Sequence, residues 1–190
     1  MRNYKFAPAS KSELFVFGSA RPGYRNEQVN DWIKFMQNQG IERVCCLLPE
    51  SHLRRYANLL DLYQHHFGLN RICWAPIEDF QFATLEILIN QILPFLALAD
   101  QHQEKVVVHC SGGIGRTGHV LAAWLVAGRG LTNRDAIAAV KQTGKNPYEA
   151  VLAAPLQGRN PWKVAAELNL LLDKCSQSRG QIAGNLLKLD

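Results

Sequence analysis

Apolar and polar positions along the chain switch between two rhythms, and each switch marks an element. A short apolar run at 14–17 predicts a strand, followed by the turn-rich stretch Gly18-Ser19-Ala20-Arg21-Pro22-Gly23. Val29, Ile33 and Met36 recur at helical spacing, which predicts a helix over 26–39 with Asn26 as N-cap and Gly40 as stop. A strand over 41–48 ends at Pro49, a helix over 51–66 closes at Gly68, and a strand over 71–77 comes next. A long helix is predicted over 84–102; Pro94 inside it lacks an N–H and should kink it. The run Lys105-Val106-Val107-Val108-His109 has the unbroken β-branched character of a strand buried on both faces. A glycine-rich turn then leads into an apolar helix over 117–127. Thr132 and Asp135 resemble a capping box, while Asn146-Pro147 and Asn160-Pro161 each predict a helix start. From Ser176 onward the pattern fades into a loosely held tail.

Strands separated by helical crossovers define an α/β fold: a central, largely parallel (mixed) sheet of four to five strands flanked by helices. The strands ending at 77 and 109 are joined by one helical crossover and should run parallel. Residues 78–80 and 110–116 then share one edge of the sheet, where ligands of such folds collect. We expect one catalytic domain over 1–175 and a tail over 176–190.

Composition narrows the function. With 47% hydrophobic and 19% charged residues the chain is globular rather than disordered. Its longest apolar runs, eight residues each at 92–99 and 120–127, are too short to span a membrane. The first residues lack the apolar stretch of an export signal, so a reducing, cytoplasmic setting is expected. Five cysteines without CxxC spacing argue against a disulfide scaffold and a structural zinc site. Cys45, Cys46 and Cys73 read as buried small hydrophobes, with pairing of Cys46 to an oxidised Cys110 as the alternative. The net charge of +5 suits an anionic ligand, but no basic run suggests nucleic acid. Most of Arg129, Arg134, Lys141, Lys145, Arg159 and Lys163 are expected on solvated helix faces, with attraction of anionic substrates to the site as the alternative.

The chemistry concentrates in Val108-His109-Cys110-Ser111-Gly112-Gly113-Ile114-Gly115-Arg116-Thr117-Gly118. Its glycines let successive N–H groups turn inward as an anion-binding nest, and the positive end of the following helix faces the same point. Arg116 adds a planar fork for two phosphate oxygens. Cys110 at the base of this electropositive cradle is a nucleophile aimed at phosphorus. Asp79, on the same sheet edge, is the candidate general acid, and Glu78 beside it competes for the role.

The segment from His109 to Thr117 resembles the His-Cys-x-x-Gly-x-x-Arg-Ser/Thr signature of cysteine-dependent protein-tyrosine phosphatases. In its compact layout the chain is most similar to their dual-specificity branch. Gly18 to Gly23 and Pro76-Ile77-Glu78-Asp79-Phe80 add to the likeness, although Gln81-Phe82-Ala83 replaces the glycine and proline that usually follow the acid. The resemblance implies a protein-tyrosine-phosphatase-like fold and hydrolysis without metal or other cofactor. It makes Cys110 the nucleophile of a covalent cysteinyl-phosphate. The N–H groups of Ser111, Gly112, Gly113, Ile114, Gly115 and Arg116 would bind the phosphate oxygens, and Arg116 would stabilise the transition state. Thr117 would hydrogen-bond the departing sulfur, and His109 would orient the loop. The substrate expected is a phosphoprotein carrying phosphotyrosine, with phosphoserine and phosphothreonine as extensions, and the enzyme a monomer. The alternatives are a phosphatase of phosphoinositides or RNA 5′-phosphates, or a catalytically weak phosphate-binding module. The side chains between Cys110 and Arg116 are all neutral, which favours the protein substrate.

Overall fold

The computed structural model describes residues 3–186. Its five-stranded sheet has the order β1-β2-β5-β3-β4. β1 (Ala7–Pro8) is antiparallel to β2 (Val16–Ala20), whereas β2, β5 (Lys105–Cys110), β3 (Ile41–Cys46) and β4 (Ile72–Trp74) run parallel. The mixed, largely parallel sheet expected from the crossovers is therefore present. β5 is paired on both edges, by β2 and β3, and its valines are fully buried in the apolar layers on the two faces of the sheet.

β2 begins two residues later than the pattern predicts and takes in Gly18, Ser19 and Ala20, which pair with Val108, His109 and Cys110. Ladder bonding along β5 overrides the turn preference of Gly-Ser. Gly18 is required there, because a Cβ would strike the side chains of Thr117 and Leu121.

One face of the sheet is covered by α1 (Asn26–Asn38) and α3 (Leu59–Phe67). Asn26 is the first helical residue rather than the cap; Arg25 caps, its N–H donating to Gln28 Oε1 at 3.3 Å. The helix expected over 51–66 is divided into α2 (Glu50–Leu53) and α3. Between them Tyr56 turns inward, and its hydroxyl donates to the Pro22 carbonyl at 2.9 Å, a tertiary bond that a continuous helix would forfeit.

The other face carries α4 (Leu85–Ile87), a π turn (Leu88–Ile92), α5 (Leu93–Gln101), α6 (Gly115–Arg129), α7 (Asn133–Gln142), α8 (Glu149–Ala153) and α9 (Pro161–Gln177). The irregularity predicted at Pro94 takes the form of the π turn just before it, where a widened turn accommodates the missing N–H. Thr132 caps α7 and Asn160 caps α9 as expected, accepting backbone N–H bonds from Asp135 and Trp162. Asn146 does not start a helix. Its Oδ1 accepts the Tyr148 N–H at 3.2 Å in an Asx turn, and α8 begins at Glu149.

The expected tail is also corrected over 176–186. α9 continues to Gln177, and α10 (Arg179–Leu186) docks against the core: Ile182 is 6% exposed, and Arg179 donates to the Val126 carbonyl at 2.7 Å. Residues 187–190 of that tail lie outside the described residues. Two basic residues expected on solvated faces are also elsewhere. Lys145 is buried, and Arg129 is held by Glu13 and Asp100. No helix among the described residues is long and apolar enough to cross a membrane. Ile182→Ala should lower unfolding free energy in urea by about 2 kcal/mol, where a detached tail would give no change.

Candidate active site

Strand alternation separates the two residues that end β5. Val106, Val108 and Cys110 face α6, whereas Val107 and His109 face α1 and α3. Cys110 thus emerges beneath the loop, only 2% exposed, and the Gly113 N–H donates to its Sγ at 3.2 Å. Gly113 has φ +66°, and a Cβ there would collide with the backbone of Ser19 and Ala20. Gly115 opens α6 against Glu149, so segment 145–149 buttresses the loop from outside. The Thr117 hydroxyl is buried with no hydrogen-bond partner among the described residues; the expected bond to the sulfur is not made here.

Residues 78–80 and 110–116 do meet on one edge. Arg116 is 5% exposed, and both arms of its guanidinium reach the segment after β4: one donates to the Ile77 carbonyl at 2.9 Å, the other pairs with Asp79. The second oxygen of Asp79 lies 3.4 Å from His52 Nε2, and His52 Nδ1 lies 2.9 Å from Ser111 Oγ. His52 therefore bridges the cysteine loop and the acid loop. Glu78 is exposed and has no ion pair among the described residues.

The acid loop holds a costly conformation without the usual glycine and proline. Phe80 has φ +59°, a left-handed backbone that an aromatic residue rarely adopts. Two bonds hold the turn: Gln81 N–H to the Glu78 carbonyl (3.2 Å) and Ala83 N–H to His119 Nε2 (3.0 Å). His119 lies one turn beyond Arg116 on α6, so a single helix grips both ends of the acid loop.

His109 packs between Trp32 and Tyr63, with the Tyr63 hydroxyl 3.2 Å from its Nε2. Burial, with a smaller contribution from the charges of Arg21 and Arg116, brings the His109 pKa down to about 3. Burial likewise brings His119 to about 3, opposed by a backbone hydrogen bond to Gly115. Both rings are neutral at physiological pH. Lys145 is pushed down to about 8 by burial, the Cys110 side chain opposing that shift. All five cysteines are free, and burial raises Cys46 to about 12, as suits a packed small hydrophobe.

His52 and His119 are two site residues that the sequence pattern did not single out. His52 follows the end of β3 as Asp79 follows β4, so the same edge rule would have found it. His119 lies three positions from Arg116, on one face of the same helix.

A buried parallel strand, a cysteine loop and an arginine at a helix start define the cysteine-dependent phosphatase class. Residues 25–151 match the family model for the dual specificity phosphatase catalytic domain, and the chain belongs to that family. Two uncharacterized proteins of Methanocaldococcus jannaschii, MJ0215 and MJECL20, are each 36% identical over 78 residues. That stretch is 41% of this chain and 46% and 50% of theirs, so the match spans about half the length of these curated relatives. The active form of Tk-PTP is similar in structure, with a TM-score of 0.62 and 25% identity over 85% of this chain and 97% of that one. PTPMT1 in complex with PI(5)P superposes with a TM-score of 0.65 at 14% identity, covering 94% and 97% of the two chains, a likeness of fold.

The buried histidines make stability depend on pH. In the unfolded chain each takes up a proton near pH 6.5, whereas the folded chain keeps both neutral down to about pH 3. Unfolding therefore binds protons in that window, and stability is full above pH 6.5 and falls as the pH drops toward 3. Each histidine contributes a slope of about 1.4 kcal/mol per pH unit. His119→Gln should remove one of the two contributions, read as a shallower decline of urea-unfolding free energy between pH 6 and 4.

Proposed function

We propose that this domain hydrolyses phosphotyrosine in proteins, and phosphoserine or phosphothreonine as well, through a cysteinyl-phosphate on Cys110. One observation carries the reading: a buried sulfur, a buried guanidinium and a half-exposed carboxylate, delivered by different strand ends, converge on a single loop. The Cys110 sulfur attacks phosphorus, forming the P–S bond as the P–O bond to the leaving group breaks, and Asp79 gives that oxygen its proton. Water then attacks phosphorus and returns a proton to Asp79, the P–S bond breaks, and inorganic phosphate departs.

Several features support these roles. The N–H groups from Ser111 to Arg116 and the Arg116 fork supply donors for the phosphate oxygens. Arg116 gives one arm to Asp79, so a substrate dianion competes with the carboxylate for that arm. His52 keeps a second hold on Asp79 throughout, acting as a positioning residue. The buried, unpartnered Thr117 hydroxyl is costly to maintain and is available to the sulfur in the second step. Neutral His109 braces the loop from the opposite face and transfers no proton. The loop side chains are neutral, and Phe80, 43% exposed beside Asp79, offers an apolar wall to a tyrosine ring. Free cysteines throughout fit a reducing, cytoplasmic setting.

Purified protein should hydrolyse p-nitrophenyl phosphate in EDTA, and phosphotyrosine peptides faster than phosphoinositides. Cys110→Ser should abolish turnover while retaining phosphate binding. Loss of activity on chelation, or activity in the serine variant, would overturn the nucleophile assignment, and preference for phosphoinositides would overturn the substrate class. Asp79→Asn should slow phenyl phosphate by about a hundredfold and activated aryl phosphates far less, as loss of a general acid requires. His52→Ala should shift the same leaving-group series in the same direction, and more weakly. Its effect should vanish in the Asp79→Asn background, whereas additive losses would make His52 merely structural.

A further inference from the structure

Two cations at the rim of the cradle are not used by the chemistry above. Arg21 follows β2, and its backbone N–H donates to the Cys110 carbonyl at 2.9 Å. Its guanidinium carbon lies 3.7 Å from the centre of the Tyr24 ring, and that of Arg55 lies 3.8 Å from the same centre. At those distances each ring face admits only one guanidinium, so Tyr24 is sandwiched between the two. Arg55 stands three residues beyond His52, which touches Ser111, so the loops after β2 and β3 bring the pair together beside the phosphate loop.

The arrangement is built on the Arg21 side. One Arg21 arm donates to the Pro22 carbonyl (2.8 Å) and the Tyr56 hydroxyl (3.0 Å), and the Tyr56 hydroxyl donates to the same carbonyl. Arg21 Nε is buried with no hydrogen-bond partner among the described residues, and Arg55 is exposed. Neither guanidinium has a carboxylate partner among the described residues. Arg43, Arg54, Arg71, Arg129 and Arg159 are paired with acids, whereas Arg25, Arg134 and Arg179 share with Arg21 and Arg55 the lack of one among the described residues. Two like charges on one ring repel each other, and stacking offsets only part of that. An anion at the edge of the ring, within reach of free N–H groups of both, offsets the repulsion, and the planar forks fit carboxylate or phosphate oxygens.

We propose that Arg21 and Arg55 form a second anion subsite, which takes a carboxylate or second phosphate carried by the substrate next to the phosphate being cleaved. The proposal rests on the reading of the Cys110 loop as the reaction centre. Arg21 is the fixed half of the subsite, Arg55 the solvent-facing half, and Tyr24 the spacer between them. The subsite selects among phosphorylated substrates without taking part in bond breaking.

The test compares three phosphotyrosine peptides: one flanked by alanines, one flanked by glutamates, and one with a neighbouring second phosphotyrosine. p-Nitrophenyl phosphate serves as the reference without a second charge. Wild-type protein should favour the two extra-charged peptides, and the advantage should shrink as salt is raised. Arg55→Ala should lower kcat/KM for them by about tenfold, mostly through KM, the loss expected for a charge-assisted contact. The alanine-flanked peptide and p-nitrophenyl phosphate should change little, and Arg55→Lys should recover part of the loss. Whichever charged peptide loses more identifies the anion preferred. Equal losses on all four substrates, or unchanged rates on the charged peptides, would overturn the subsite. No turnover of any substrate by wild-type protein would instead overturn the proposed phosphatase chemistry.

Discussion

A single buried guanidinium ties the parts of this site together. Arg116 is nearly inaccessible, and a charge so placed is tolerated only when its donors are satisfied. The Ile77 carbonyl and the Asp79 carboxylate satisfy it. The acid loop is thus ordered by the same charge that, in the reaction proposed above, would hold the substrate phosphate. The contact requires the ends of β4 and β5 to lie on one edge, where the parallel sheet places them. The topology thus serves the proposed chemistry directly.

Strand periodicity does a second job. Because successive residues point to opposite faces, Cys110 faces the phosphate loop while His109 enters the apolar layer of Trp32 and Tyr63. A charged imidazole could not be held there, and its depressed pKa is the electrostatic expression of that burial. Neighbours in sequence thereby acquire opposite surroundings: one lies at the loop where the proposed reaction takes place, the other stiffens the strand end behind it.

Much of this was legible in the sequence wherever local pattern and tertiary need agree. The β-branched run of β5, the glycines of the loop, and the caps at Thr132 and Asn160 follow from residue chemistry alone. Three of the misreadings share a cause, which is a tertiary contact outbidding a local preference. Tyr56 breaks a helix to reach Pro22, ladder bonding draws Gly18 to Ala20 into β2, and Ile182 pulls an apparent tail onto the core. In the site, Cys110, Arg116 and Asp79 announce themselves by spacing and strand position. His52 and His119 do not, because their importance lies in what they reach across the fold.

The acid loop shows why such long-range groups are needed. A glycine and proline after the acid would set the chain's path through backbone stiffness; Gln81-Phe82-Ala83 cannot, and Phe80 sits in a strained conformation instead. The path must then be imposed from outside, and four contacts impose it: Arg116 on Ile77, Arg116 and His52 on Asp79, and His119 on Ala83. In the proposed reaction, the Arg116–Asp79 contact is the one whose donor an incoming phosphate would also claim. Phosphate binding would then free the carboxylate from one partner while the remaining contacts keep the loop in place.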